Sequence, residues 1–179
     1  KTAFGARARR GERLLVDEER LLRFFVEIRQ ALSQEGFTPY EISSASRPGF
    51  ESRHNTTYWT GGEYLALGAG AHGFRREGDG AVRWENERHP GRYMEAAIAG
   101  RPAVNFEDQV TADELIEDEI MTALRMDRGL RVQDRHRARC EAAARSLIAD
   151  GLLEPDEEHW RVTDAGRTVL DSVILNLLS

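Results

Sequence analysis

A chain of 179 residues can bury a real core in one or two domains, and 40% hydrophobic with 31% charged residues describes a folded, water-facing protein. No apolar run approaches the roughly 18 residues of a membrane span and no signal peptide opens the chain, which predicts a cytoplasmic protein; the single cysteine, Cys140, excludes an internal disulfide, a multi-cysteine zinc site and a self-contained cysteine-ligated iron–sulfur cluster. The net charge of −6 falls on residues 111–179, and the basic residues are all arginine apart from Lys1, a bias spread along the whole chain that argues for genomic composition over a nucleic-acid surface.

The chain opens with a basic loop through Gly11. Asp17 then precedes a run in which Leu21, Phe25, Ile28 and Leu32 recur at helical spacing, with Gly36 as the stop, so an amphipathic helix is predicted. "FTPYEIS" (37–43) reads as a short strand weakened by Pro39. A loop containing "HNTTYW" (54–59) follows, and it concentrates an imidazole, an amide and two large rings in six residues. Such a stretch either plugs the end of a core or presents a surface to a flat, metal-containing ligand.

"EYLALGAGAHG" (63–73) predicts a buried strand through Tyr64, Leu65 and Leu67. Glycine is costly in a strand, so Gly68, Gly70 and Gly73 imply either close approach of a backbone or ligand or a tight crossing in a barrel wall. No GxGxxG or GK[ST] is present. Pro90 at a start and Gly100 at a stop bound a helix over about 90–99, residues 101–110 read as a connector, and a domain boundary is placed there.

Beyond it, Thr111-Ala112-Asp113-Glu114 is a capping box. It opens a helix, followed by a shorter one near 132–137, another over roughly 138–149, a hairpin around Pro155-Asp156, and a last helix capped by Thr163 or Asp164. That is the order of a winged-helix domain. Charge argues against DNA, because phosphate neutralisation needs a basic face and the wing reads Glu154-Pro155-Asp156-Glu157-Glu158. Arg135, Arg137 and Arg139 spread around their helix as a solvated face, Cys140 reads as a buried inert thiol, and His136 and His159 read as surface residues.

"YEISSASRPGFESRHNTTYWTGGEYLALGAGAHG" (40–73), with "RWEN", "RYMEAAIAG", "TALRMDRGL", "LIADGLLE" and "WRVTDAGRTVLDSVILNLL", resembles the C-terminal half of HemW-type heme chaperones. These radical SAM proteins are often described as oxygen-independent coproporphyrinogen III oxidases. The resemblance covers nearly the whole chain, and HNxxYW followed by GxGAHG is its most specific part. Nothing here matches the family's CxxxCxxC motif, which holds a [4Fe-4S] cluster and S-adenosylmethionine.

The resemblance implies an α/β fold: residues 1–110 as the closing elements of a partial radical SAM barrel, and 111–179 as a winged-helix-like domain. A two-strand remnant of a parallel barrel is expected to fray or to depend on the missing N-terminal barrel half. It further implies heme binding and delivery, with His54 as the iron ligand and Asn55, Tyr58 and Trp59 beside it, because neutral imidazole ligates heme iron well. Apart from the resemblance, the charge of Arg47 or Arg53 suits pairing with propionates. Gly70, Ala71 and His72 correspond to the strand end that approaches S-adenosylmethionine in the related oxidases, and His72 is alternatively a second iron ligand. The expected partners are heme and an acceptor protein, free or membrane-associated, with no nucleic acid. Oxidative decarboxylation of coproporphyrinogen III is the alternative activity, and a winged-helix interaction module the alternative of another class.

Overall fold

The computed structural model describes residues 2–12, 14 and 17–179. Two helices come first, α1 (Ala3–Arg9) and α2 (Glu18–Gln34). The opening segment is thus a helix and not a loop: Thr2 caps it by accepting from the Gly5 N–H. Asp17 caps α2 in the same way through the Arg20 N–H. The amphipathic pattern does form a helix, yet its apolar face is only partly covered. Phe25 and Leu32 are half-buried, whereas Leu21 and Ile28 stay exposed.

A small hairpin follows, β1 (Thr38–Glu41) paired antiparallel with β2 (Ser44–Ser46). Then come α3 (Arg53–Trp59), β3 (His72–Glu77), β4 (Gly80–Asn86), α4 (Pro90–Ile98) and β5 (Val104–Val110). β3, β4 and β5 form one antiparallel sheet with β4 at its centre. Two expectations are corrected here. Residues 101–110 are no mere connector, since most of them form an edge strand, and the sheet is antiparallel where parallel barrel strands were expected.

The glycine-rich run is the third correction. Before β3 begins at His72, only Tyr64 pairs, by a single bridge to Phe74, and Leu65 and Leu67 are 77% and 82% exposed. Residues 65–71 are a loop because Gly68 and Gly70 take φ of +107° and +68°, which no strand accommodates. Asn86 staples this loop through its side-chain amide to the carbonyls of Ala66 and Gly68, both at 3.0 Å, and the Tyr93 hydroxyl accepts from Gly68 N–H.

The C-terminal part runs α5 (Ala112–Ala123), β6 (Leu130–Arg131), α6 (Asp134–Ala149), β7 (Leu153–Pro155), β8 (His159–Val162), α7 (Asp164–Thr168) and α8 (Leu170–Leu178). Both halves of the Thr111–Glu114 capping box are formed. The two helices read near 132–149 are one kinked helix: Cys140 has non-helical φ/ψ of −142° and 20°, and its buried thiol bonds the His136 carbonyl at 3.1 Å. Ile120, Leu124, Ala144, Leu147, Trp160 and Val173 are among the buried residues of one core.

Packing crosses residue 111, since Ile42 lies against that core. Val110 and Leu115 share a second cluster with Phe74 and Ala81. The backbone of β1 and its turn bonds that of 125–127, with Ile42 N–H to Arg125 and Asp127 N–H to Tyr40. Arg29 of α2 and the buried Arg167 of α7 both pair with Asp127, at 3.2 and 3.0 Å.

Candidate functional site

The "HNTTYW" stretch is a helix, not a loop, and this decides what its side chains do. Ser52 caps α3 by accepting from the Asn55 N–H at 3.2 Å. Residues four apart share a face on a helix, so His54 and Tyr58 project together, as do Asn55 and Trp59. His54 and Tyr58 are exposed, with His54 Nε2 3.1 Å from the Tyr58 hydroxyl and the two rings edge-on at 4.9 Å. Asn55 turns inward, donating from Nδ2 to the Tyr40 hydroxyl at 3.3 Å. Trp59 also turns inward; its Nε1 is buried with no hydrogen-bond partner among the described residues, and the Arg125 guanidinium lies 6.0 Å from its ring.

The ring series continues beyond the motif. Tyr58 meets Tyr64 edge-on at 4.5 Å, and Tyr64 stacks on Phe74 at 6.0 Å. Burial raises the Tyr64 hydroxyl above the ordinary phenol range, with Tyr58 adding to the effect. The His54–Tyr58–Tyr64–Phe74 ladder runs from solvent towards the β3–β5 sheet. The sequence places Tyr64 in a strand and carries no signal that singles out Phe74. The Tyr64–Phe74 bridge that joins them is a tertiary contact with no local signal.

Beside the ladder lies a cavity of about 210 Å³, lined by Tyr58, Trp59, Tyr64, Phe74, Arg76, Arg83, Asp118 and others. Arg83 pairs with Asp118, yet burial still raises the Asp118 carboxyl above its usual range. Behind Trp59 is a second cavity of about 310 Å³. It holds His136, which is a correction: this residue is 2% exposed and not at the surface. His136 Nδ1 accepts the Gln133 N–H at 3.0 Å and its Nε2 faces Glu119 at 3.2 Å. Because Nδ1 accepts, the ring proton of neutral imidazole sits on Nε2 and donates to the carboxylate. That hydrogen bond, with Arg135 at 2.9 Å, holds the Glu119 carboxyl below its usual range.

Gly70 and Ala71 lie in the loop before β3, and His72 is the first residue of that strand. Gly70 N–H bonds the Glu87 carbonyl and the Ala71 carbonyl accepts from Asn86, so this backbone is already engaged. His72 is exposed at the start of β3, opposite Glu85. Among the described residues no hydrogen bond, ion pair or ring contact joins it to α3, and no group of three or more His, Cys, Asp or Glu could hold a metal ion. Arg47 lies over the Phe37 ring, 5.5 Å from its centre, and Arg53 is exposed in the first turn of α3.

Residues 110–169 match the family model described as HemN C-terminal domain. The heme chaperone HemW of Mycobacterium tuberculosis (strain CDC 1551 / Oshkosh) is 38% identical over 181 residues, covering 99% of this chain and 44% of that protein. Its namesake in Escherichia coli (strain K12) is 30% identical over 179 residues, covering 97% and 45%. The bovine (Bos taurus) protein "Radical S-adenosyl methionine domain-containing protein 1, mitochondrial" is 31% identical over 177 residues, covering 91% and 40%. A solved structure of the Escherichia coli coproporphyrinogen III oxidase (HemN), a radical SAM enzyme, superposes with a TM-score of 0.60 at 18% identity, over 86% of this chain and 39% of that one. The chain belongs to the HemW-type family, and it spans less than half the length of these relatives.

Proposed function

We propose that this chain contributes to holding heme for delivery to an acceptor protein, with His54 as an axial ligand of the iron. The observation that carries the reading is the outward His54–Tyr58 pair on α3, continuous with the Tyr64–Phe74 rings. An exposed imidazole supplies a ligand, and the adjoining rings offer apolar faces to a porphyrin edge. The Tyr58 hydroxyl occupies Nε2, but releasing one such hydrogen bond costs only about 1 kcal/mol, which an iron–nitrogen bond offsets. The residues therefore fit heme as cargo through one ligand.

They do not fit a [4Fe-4S] cluster, since the chain's one cysteine is buried, and burial raises its thiol above the ordinary range. Reduction of S-adenosylmethionine by such a cluster is therefore assigned no residue here. The oxidase alternative has a shared fold in its favour and no side chain of this chain.

Titration of the protein with hemin tests the proposal. Wild type is expected to give a Soret band typical of imidazole ligation, and His54→Ala to lose that band and bind at least about tenfold more weakly. An identical band and affinity in the variant would remove His54 as the ligand.

A further inference from the structure

The two cavities flanking Trp59 differ in charge. Both are lined by Trp59, Glu119 and Thr122, so they adjoin across one partition. In the aromatic cavity, Arg76 and Arg83 are balanced by Asp118 and Glu119. In the other, Arg128, Arg131 and Arg135 face a single carboxylate, that of the same Glu119, leaving a surplus of at least two arginine charges. This surplus lies within the acidic stretch of the chain.

Glu119 cannot absorb it, because His136 and Arg135 already engage its carboxylate and Arg76 approaches to 3.6 Å. Arg131 has only an exposed pairing with Glu158 at 3.4 Å, which contributes little. Arg128 makes no ion pair or hydrogen bond among the described residues, although most arginines of 111–179 do.

We infer that the two cavities form one amphipathic site, in which the aromatic cavity takes the flat apolar body of a ligand and Arg128 with Arg131 takes its carboxylate arm. The inference builds on the reading that the α3 face receives a flat ligand, and it assigns the acidic group of that ligand to Arg128 and Arg131. Arg47 and Arg53 are not needed for it.

The probe that separates the two readings is pyrene-1-butyrate, a flat arene with one carboxylate and no metal, set against its uncharged methyl ester. Fluorescence titration of the full protein is expected to show the acid binding about tenfold more tightly than the ester, as one charge-assisted contact provides. In the double variant Arg128→Gln, Arg131→Gln that preference falls to near unity, while Arg137→Gln, which removes an equal-sign charge outside both cavities, leaves it intact. Equal binding of acid and ester by wild type, or a preference that survives in the double variant, overturns the inference. Discrimination without any hemin binding leaves the carboxylate site standing and sinks the heme reading. Hemin binding without discrimination does the reverse.

Discussion

His136 offers the sharpest test of how the C-terminal part is held together. The ring is 2% exposed, accepts a backbone N–H through Nδ1 and donates through Nε2 to an ionised carboxylate. Replacing it with alanine forfeits a neutral hydrogen bond of about 1 kcal/mol and a charge-assisted one of about 1.5–2 kcal/mol, and it leaves the Gln133 N–H without its side-chain acceptor. Some volume is also lost, so the total expected for His136→Ala is about 3 kcal/mol. With a urea slope of about 2 kcal/mol/M, the unfolding midpoint should fall by roughly 1.5 M. His136→Phe restores the volume and isolates the polar part, so it should recover some but not most of the loss. The pH profile is a second readout. The folded Glu119 carboxyl titrates below its unfolded value, so its stabilisation is fully present above the unfolded carboxylate range and is lost as pH falls through the folded value. His136→Ala removes the first cause of that depression and should therefore make the acid loss shallower. A midpoint shift below about 0.4 M at neutral pH, with an unchanged acid limb, would refute the assigned hydrogen bonds.

Two further outcomes follow from the geometry near α3. A Cβ at Gly73 would lie 2.1 Å from Cζ2 of the Trp84 indole, so Gly73→Ala should cost about 1–3 kcal/mol and perturb Trp84 fluorescence; a thermal midpoint equal to wild type would contradict the β3–β4 register. Tyr58→Phe keeps the ring but frees His54 Nε2, so hemin affinity should rise by up to about fivefold, and weaker binding would mean that the hydroxyl assists the ligand.

Helix ends were legible because caps are local. Asp17, Thr111 and Pro90 each open the helix that the sequence assigns to them. α3 was missed because Thr56 and Thr57 are poor helix formers; its Ser52 cap, three residues before Asn55, was the available signal. β5 was missed for another reason. "VNFEDQV" shows almost no buried position, and what makes it a strand is pairing with β4. His136 illustrates a signal misweighted. Its charged neighbours suggest a surface, but it stands four residues before Cys140 and eight before Ala144, on the stripe that α6 buries. Periodicity there was the better guide than composition. The exposure of α2 is different again, since nothing in an amphipathic pattern says how much of the apolar face will be covered within a given chain.

The two readings of "HNTTYW", core plug or ligand surface, are compatible once the stretch is a helix. A helix of seven residues is too short to persist on its own, so something must hold it in place. Asn55 does so through Tyr40, and Trp59 through its inward packing beside Arg125. These are the plug. One residue earlier in each case, a rotation of about 100° carries His54 and Tyr58 to the outer face. The anchors fix the orientation of that face, which is what a metal ligand requires of its support. Trp59 then has a second consequence, because the same inward ring separates the balanced aromatic cavity from the cationic one. A single helical turn thereby sets the proposed ligand atom, the ring ladder and the partition between the two cavities. Only the first of these was visible in the order of residues, because the other two depend on what α5 and α6 bring up behind Trp59.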